Sequence, residues 1–303
     1  KRQSGLIKPE IGDHDTLGDS IYLPYFVVLS DDKDFTIKPR IFNKGVRVFQ
    51  NEYRQIGDNS LTIIDSSITT GHDSNEDDKG DTRSHFFANS KIDLKLENFL
   101  SSNLEINFEK SSNDTYLQLF DFLRSPLLIG KNTSTLESLI TLDLGHEDYD
   151  LETTVAMYEN TGGRNQDRYY YVLPSYSFQK TFDLENIDGT FSFSSGGTNS
   201  LSQTNVKAST VNNTLSLETY NNFFSNGIKT SFNGIIKNTN SIGSNSTVYK
   251  NTPQSELISI YKYNISLPLA KSTENYVNKL TPKLSFIASP HDMKNNSETG
   301  RTI

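Results

Sequence analysis

The side chains able to do chemistry are few and scattered. Five histidines, His14, His72, His85, His146 and His291, share no ligand spacing, and none stands two or four positions from another. A metal needs imidazoles that converge from such positions, so no histidine metal site is expected. The stretch DSNEDD begins like a calcium loop, with Asp73, Asn75 and Asp77 as alternate oxygen ligands. It then fails where the loop needs a glycine (Asp78) and a closing glutamate (Ser84). It reads as a solvated acidic loop with at most weak affinity for a divalent cation. Cysteine is absent, which removes disulfides, thiolate metal sites and thiol nucleophiles together. Ser84 and His85 offer a hydroxyl and a base, but neighbours on a strand point to opposite faces and cannot act together. No phosphate-binding glycine loop or nucleophile elbow occurs, and no pattern pairs two carboxylates in a pocket. The expectation is a protein that is not an enzyme and carries no cofactor.

The residues that ask for an explanation are prolines. The stretch SIYLPYFVVLSDDKDFTIKPRIFNKGVRVF, Ser20 to Phe49, reads as strands joined by a tight turn, with Pro24 inside the first and Pro39 inside the second. Proline has no N–H to give a ladder and is normally kept to edges, strand starts or bulges. A turn near residues 30–34 makes the two strands antiparallel, and the separation of 15 residues then places both prolines toward one end of the hairpin. On the second strand Thr36, Lys38 and Arg40 share one face, opposite Phe35, Ile37, Pro39 and Ile41.

The elements around them are read from composition and period. Of 303 residues only 34% are hydrophobic, low for a soluble protein that must fill a core. A transmembrane β-barrel needs apolar residues at only every second strand position, because its interior is polar. The 15 Tyr and 18 Phe argue against disorder. A net charge of −8 supplies no basic stripe for nucleic acid. No apolar run is long enough for a membrane helix. Lys1 opens the sequence without an initiator Met or a signal peptide, so the chain reads as an internal piece of a longer precursor.

Period-two alternation recurs throughout: Ile92, Leu94, Leu96; Leu104, Ile106, Phe108; Ile140, Leu142, Leu144; Val155, Met157; Leu215, Leu217; Ile265, Leu267, Leu269; Leu284, Phe286. Turn-rich stretches at 75–84, 159–167, 194–205 and 237–254 separate these strands, and aromatics at Tyr22, Tyr25, Phe26, Phe86, Phe87, Tyr169 to Tyr171, Phe223 and Phe224 suit interfacial girdles. No helix is expected; the nearest candidate, 133–142, runs on into strand alternation. With no fixed-period repeat, a solenoid is disfavoured. The pattern fits an antiparallel membrane barrel, with a soluble β-sandwich as the alternative.

Several stretches together resemble the membrane domain of the LptD family, which assembles lipopolysaccharide at the Gram-negative outer membrane. KRQSGLIKPEIG (Lys1 to Gly12) is similar to that family's junction between periplasmic domain and barrel, and LPYFVVLSDDKDFTIKPRIFNKG (Leu23 to Gly45) to its first barrel hairpin. RSHFFANSKIDL (83–94) and SNDTYLQLFDF (112–122) resemble later strands, and LTPKLSFIASP (280–290) a segment further along; 185–275 adds only compatible strands.

The resemblance implies an incomplete transmembrane β-barrel, roughly the N-terminal half, with residues 1–12 the junction from a missing jelly-roll and 13–303 the barrel part. It implies a place in the outer membrane and the insertion of lipopolysaccharide into the outer leaflet. Its partners are a plug lipoprotein, LptE, and a periplasmic bridge protein, LptA, reached through the missing domain. Pro24 and Pro39 become a lateral gate, since each deletes one donor near the seam. Lys38 and Arg40, if that face is the lumen, become charge-assisted donors to phosphates or anionic sugars of lipopolysaccharide, with a merely solvated cationic face as the alternative. The chain departs from family members with disulfides, having no Cys. A diffusion pore or nutrient transporter, and a soluble adhesin, are the competing functions.

Overall fold

A computed structural model describes residues 2–72, 81–131, 134–162, 168–183, 188–220 and 222–290. The protein is all-β, 67% strand and 2% helix, with one antiparallel sheet of 18 strands whose ladders, among the described residues, do not close into a ring. The chain divides into two compact units, Lys1–Leu144 with Thr154–Val172 and Ser202–Thr204, and Gly145–Thr153 with Leu173–Leu201 and Asn205–Ile303.

The first unit opens with short strands β1 (Gly5–Leu6), β2 (Glu10–Gly12), β3 (Ser20–Tyr22) and β4 (Tyr25–Val28). The meander β5 (Lys33–Phe42), β6 (Arg47–Ile56), β7 (Ser60–His72), β8 (Asp81–Asp93) and β9 (Ser101–Ser111) follows, each strand antiparallel to the next. Tight turns enforce the register. The Gly57 N–H donates to the Ser60 carbonyl, and Gly45, at φ +87°, donates to the Phe42 carbonyl in a conformation glycine adopts without strain.

The two faces of this meander differ in burial, and the buried one is rich in polar residues. Asp34, Thr36, Lys38, Gln50, Glu52, Asp65, Ser67, Thr69, His85 and Glu109 are buried, whereas Ile37, Ile41, Phe49, Ile68, Phe86 and Phe108 on the other face are exposed. Phe86 and Phe87, expected together in an aromatic girdle, lie within β8 and split between the faces, Phe86 exposed and Phe87 buried.

The polar face is covered by the connection from β9 to β10 (Thr135–Gly145), which holds the one helical element among the described residues, α1 (Tyr116–Leu119). This corrects the sequence expectation, which read SNDTYLQLFDF as a strand. Asn113 accepts hydrogen bonds from the backbone N–H and hydroxyl of Thr115, which start the turn. Tyr116, Leu117, Phe120 and Leu123 then recur at helical rather than alternating spacing. They pack with Leu17, Phe42, Val46, Val48, Phe87 and Leu136 into the unit's apolar core. A second correction concerns Ile92, Leu94 and Leu96: β8 ends at Asp93, and Lys95 and Asn98 take left-handed backbone in the turn that follows.

The second unit holds parts of β11 (Tyr149–Asn160) and β12 (Tyr169–Asp183), then β13 (Gly189–Ser202), β14 (Val206–Thr219), β15 (Asn222–Phe223), β16 (Lys229–Ser244) and β17 (Gln254–Ser266). The exposed hairpin β18 (Leu269–Ser272) and β19 (Val277–Leu280) precedes β20 (Lys283–Ala288), which pairs with β17. Stretches 194–205 and 237–254, expected as turns, are mostly strand up to Ser202 and Ser244. Their Ser, Thr and Asn side chains satisfy one another across the sheet instead of bending the chain. Tyr176, Ser195, Asn213, Asn238 and Ser255 form a hydrogen-bonded row from β12 to β17. Gly197 leaves room for the Tyr176 ring, whose edge would lie 2.5 Å from an added Cβ.

Candidate functional site

The prolines meet at one level of the first unit. Tyr22 pairs with Arg40 and Tyr25 with Ile37, so Leu23 falls opposite Pro39 and Pro24 opposite Lys38. The strand that would otherwise run unbroken from Ser20 to Val28 is interrupted at Leu23 and Pro24. One hydrogen bond crosses the gap, from the Leu23 N–H to the Pro39 carbonyl at 3.0 Å. Sequence reasoning missed a third member, Pro9, which lies between β1 and β2, the two segments that pair with β4 and β3. There Ile7, Lys8 and Pro9 face only Leu23 and Pro24, a β-bulge bridged by the Ile7 N–H to the Pro24 carbonyl at 2.8 Å. The signal was present: Pro9, Pro24 and Pro39 are spaced by 15 and 15 residues.

The same level continues across the polar face as a transverse row, Lys38, Gln50, Ser67, His85 and Ser111, each paired with the next. The Lys38 ammonium lies 2.6 Å from Glu52 and donates to the Arg124 carbonyl at 2.8 Å. Gln50 donates to Asp65 and to the same carbonyl. Two of the three Lys38 donors are therefore used within the protein. Arg40 is engaged less: its guanidinium is held between the rings of Tyr22 and Phe122, 4.8 and 4.7 Å from their centres. Its hydrogen bond to Ser20 is long, 3.4 Å, so of the two predicted cations Arg40 keeps more donors to offer.

Next along the row is a chain of buried hydrogen bonds. His85 Nε2 meets Asp65 at 2.8 Å, and His85 Nδ1 meets Ser67 Oγ at 2.6 Å. Ser67 Oγ also meets the Tyr116 hydroxyl at 2.6 Å, which meets Thr69 at 2.7 Å. One assignment satisfies every atom: the Nε2–H donates to Asp65, and the Ser67, Tyr116 and Thr69 hydroxyls donate in turn toward Nδ1. The order Asp–His–Ser is that of an acyl-transfer triad, but Ser67 is 4% exposed and its oxygen is occupied by Tyr116. As folded, the chain fastens α1 to the wall. Burial raises the Tyr116 phenol above the ordinary tyrosine value, against a smaller lowering by Ser67 and Thr69.

Ser84 and His85 do project to opposite faces, and the hydroxyl that reaches His85 comes from Ser67 on the adjacent strand. A partner across a ladder cannot be read before the register is known. His14 Nδ1 accepts from the N–H groups of Thr16 and Leu17, and His146 stacks on Tyr149 at 4.7 Å. The acidic loop 73–78, the His72 side chain and His291 lie outside the described residues. Among those described, no three potential ligands gather for a metal. No protein-family model matches the chain, and no curated protein matches it in sequence.

Proposed function

We propose that this chain is part of an outer-membrane β-barrel of the LptD kind, which passes lipopolysaccharide sideways into the outer leaflet through a weak seam. The observation that carries the reading is the proline level: Pro9, Pro24 and Pro39 remove donors from three neighbouring segments at one depth. In lipid every backbone group must be paired within the protein, so a cluster of missing donors marks where a membrane sheet opens at least cost. Two of these missing donors, those of Pro24 and Pro39, weaken the zipper by about 2–3 kcal/mol. The two faces support the setting, because exposed Ile37, Ile41, Phe49 and Phe108 suit acyl chains while the buried polar wall suits a lumen. A free diffusion pore fits less well, since residues of the β9–β10 connection cover that wall.

Arg40 is the residue proposed to meet a phosphate or anionic sugar, with Lys38 setting the wall beside it. LptE, LptA and the outer membrane are the partners that follow from this reading. In the test, Pro24 and Pro39 are both replaced by Ala in cells that depend on the protein. Slower arrival of lipopolysaccharide at the surface is the expected result. An unchanged rate, with the variant present at the normal level, overturns the gate.

A further inference from the structure

We infer that a groove in the second unit binds a lipid with an acyl chain and an anionic headgroup, Leu173, Leu201 and Ile242 receiving the chain and Lys207 the headgroup. The site takes no part in lateral release and stands whether or not that reading holds.

The walls of the groove follow from the register. Residues two apart on a strand share a face, so Lys207 and Ser209 lie together on β14, where they pair with Ser244 and Ile242 of β16. Ser209 Oγ donates to Asn199 Oδ1 at 2.6 Å, which puts Asn199, and Leu201 two residues on, on the same face of β13. Leu173 of β12 completes the lining. The hollow so enclosed measures about 560 Å³, inside the ~300–1,000 Å³ range of ligand sites. A second hollow of about 200 Å³ shares Ser209 and Ile242 with it and carries the floor on to Val211 and Pro253. Together they make a trough, a shape that suits an extended chain better than a compact ring.

The chemistry of the lining selects the occupant. Leu173 and Ile242 are 48% and 39% exposed, apolar area that gains by burial against methylene groups. Lys207 is exposed near the start of β14, and no Asp or Glu lines the groove. The imbalance is wider than the groove itself. From Gly189 to Ser255 stand Lys207, Lys229, Lys237 and Lys250 against the single acid Glu218, in a chain whose net charge is −8. A neutral oil would leave the ammonium unmatched, and a free phosphate would leave the apolar floor bare. An anionic amphiphile satisfies both. Asn199 and Ser244, exposed beside Lys207, add donors for a phosphate or carboxylate.

The chain has no tryptophan, so a single introduced indole reports alone. Leu173→Trp places it in the groove, and Phe108→Trp places it on the exposed face of the first unit. Each variant is put into bilayers in which either phosphatidylglycerol or phosphatidylcholine carries brominated chains, which quench an adjacent indole. At Leu173→Trp phosphatidylglycerol is expected to be preferred about fivefold, the gain from one lysine near an anionic headgroup. At Phe108→Trp no preference is expected. Lys207→Gln added to Leu173→Trp should abolish the preference, whereas Lys271→Gln, on exposed β18, should leave it. Equal quenching by both lipids in the groove, a preference of the same size at Phe108→Trp, or one that survives Lys207→Gln overturns the inference. Absence of quenching at Phe108→Trp by either lipid is instead a failure of the membrane reading. The groove is then read in buffer with brominated stearate. Quenching at Leu173→Trp that Lys207→Gln weakens supports the site; no quenching, or quenching that Lys207→Gln leaves unchanged, overturns it.

Discussion

Two side chains on the polar wall carry consequences that single substitutions expose. Lys38 and Glu52 face each other with 10% and 7% of their side chains exposed, and removing one partner strands a buried charge. Lys38→Met is expected to cost about 3 kcal/mol in chemical unfolding, the low end for such a loss, because Arg54 remains 3.5 Å from Glu52. Adding Glu52→Gln to that variant should recover most of it. Tyr116 gives a pH signature. Its phenol is raised in the folded protein, so the stability tied to its proton is fully present below the unfolded value of about 10. That stability is lost as pH climbs from there toward the folded value. The unfolding midpoint should fall more steeply above about pH 10 in the parent than in Tyr116→Phe. Equal slopes would show that Tyr116 is not held as described.

At the scale of elements, the sequence pattern for strands was legible and the cover over them was not. Alternation in Leu104, Ile106 and Phe108 predicts β9, and these residues do share its exposed or half-exposed face. The same reasoning extended to SNDTYLQLFDF gave a strand, because Tyr, Leu and Phe favour strands wherever a sheet is expected. Tertiary packing overrode it. Phe120, 1% exposed, lies 4.9 Å from Tyr116 and 5.8 Å from Phe122, ring centre to ring centre. Phe120→Ala should therefore cost about 3–5 kcal/mol, whereas a lipid- or water-facing strand aromatic would cost far less. Unfolding of the purified variant decides between these placements. Asn- and Ser-rich β13 and β16 failed for a related reason. Their residue types signal turns in isolation, yet across a ladder they become one another's hydrogen-bond partners.

For the whole molecule the decisive property is which face of the sheet is dry. Phe108 is 42% exposed on one face, whereas Asp65 on the opposite face is fully buried. If the exposed face meets lipid, Phe108→Lys should cost about 2–4 kcal/mol when folding is measured in bilayers. A cost within about 0.5 kcal/mol would mark that face as water-exposed and remove the membrane reading. Extraction of the native chain tests the same point, since a membrane-embedded sheet leaves its bilayer only in detergent.

The sequence by itself determined that the chain is built from two-faced strands, that no apolar run is long enough for a membrane helix, and that proline interrupts the opening hairpin. Those properties are local, fixed by side-chain period and by the N–H that proline lacks. Only the tertiary structure decided that the polar face is the buried one. It alone brought Pro9 level with Pro24 and Pro39, and Ser67, His85 and Asp65 into one chain beneath Tyr116. Register and burial belong to pairs of strands rather than to any one of them. They are settled by what the sheet packs against, here a connection whose own sequence looked like another strand.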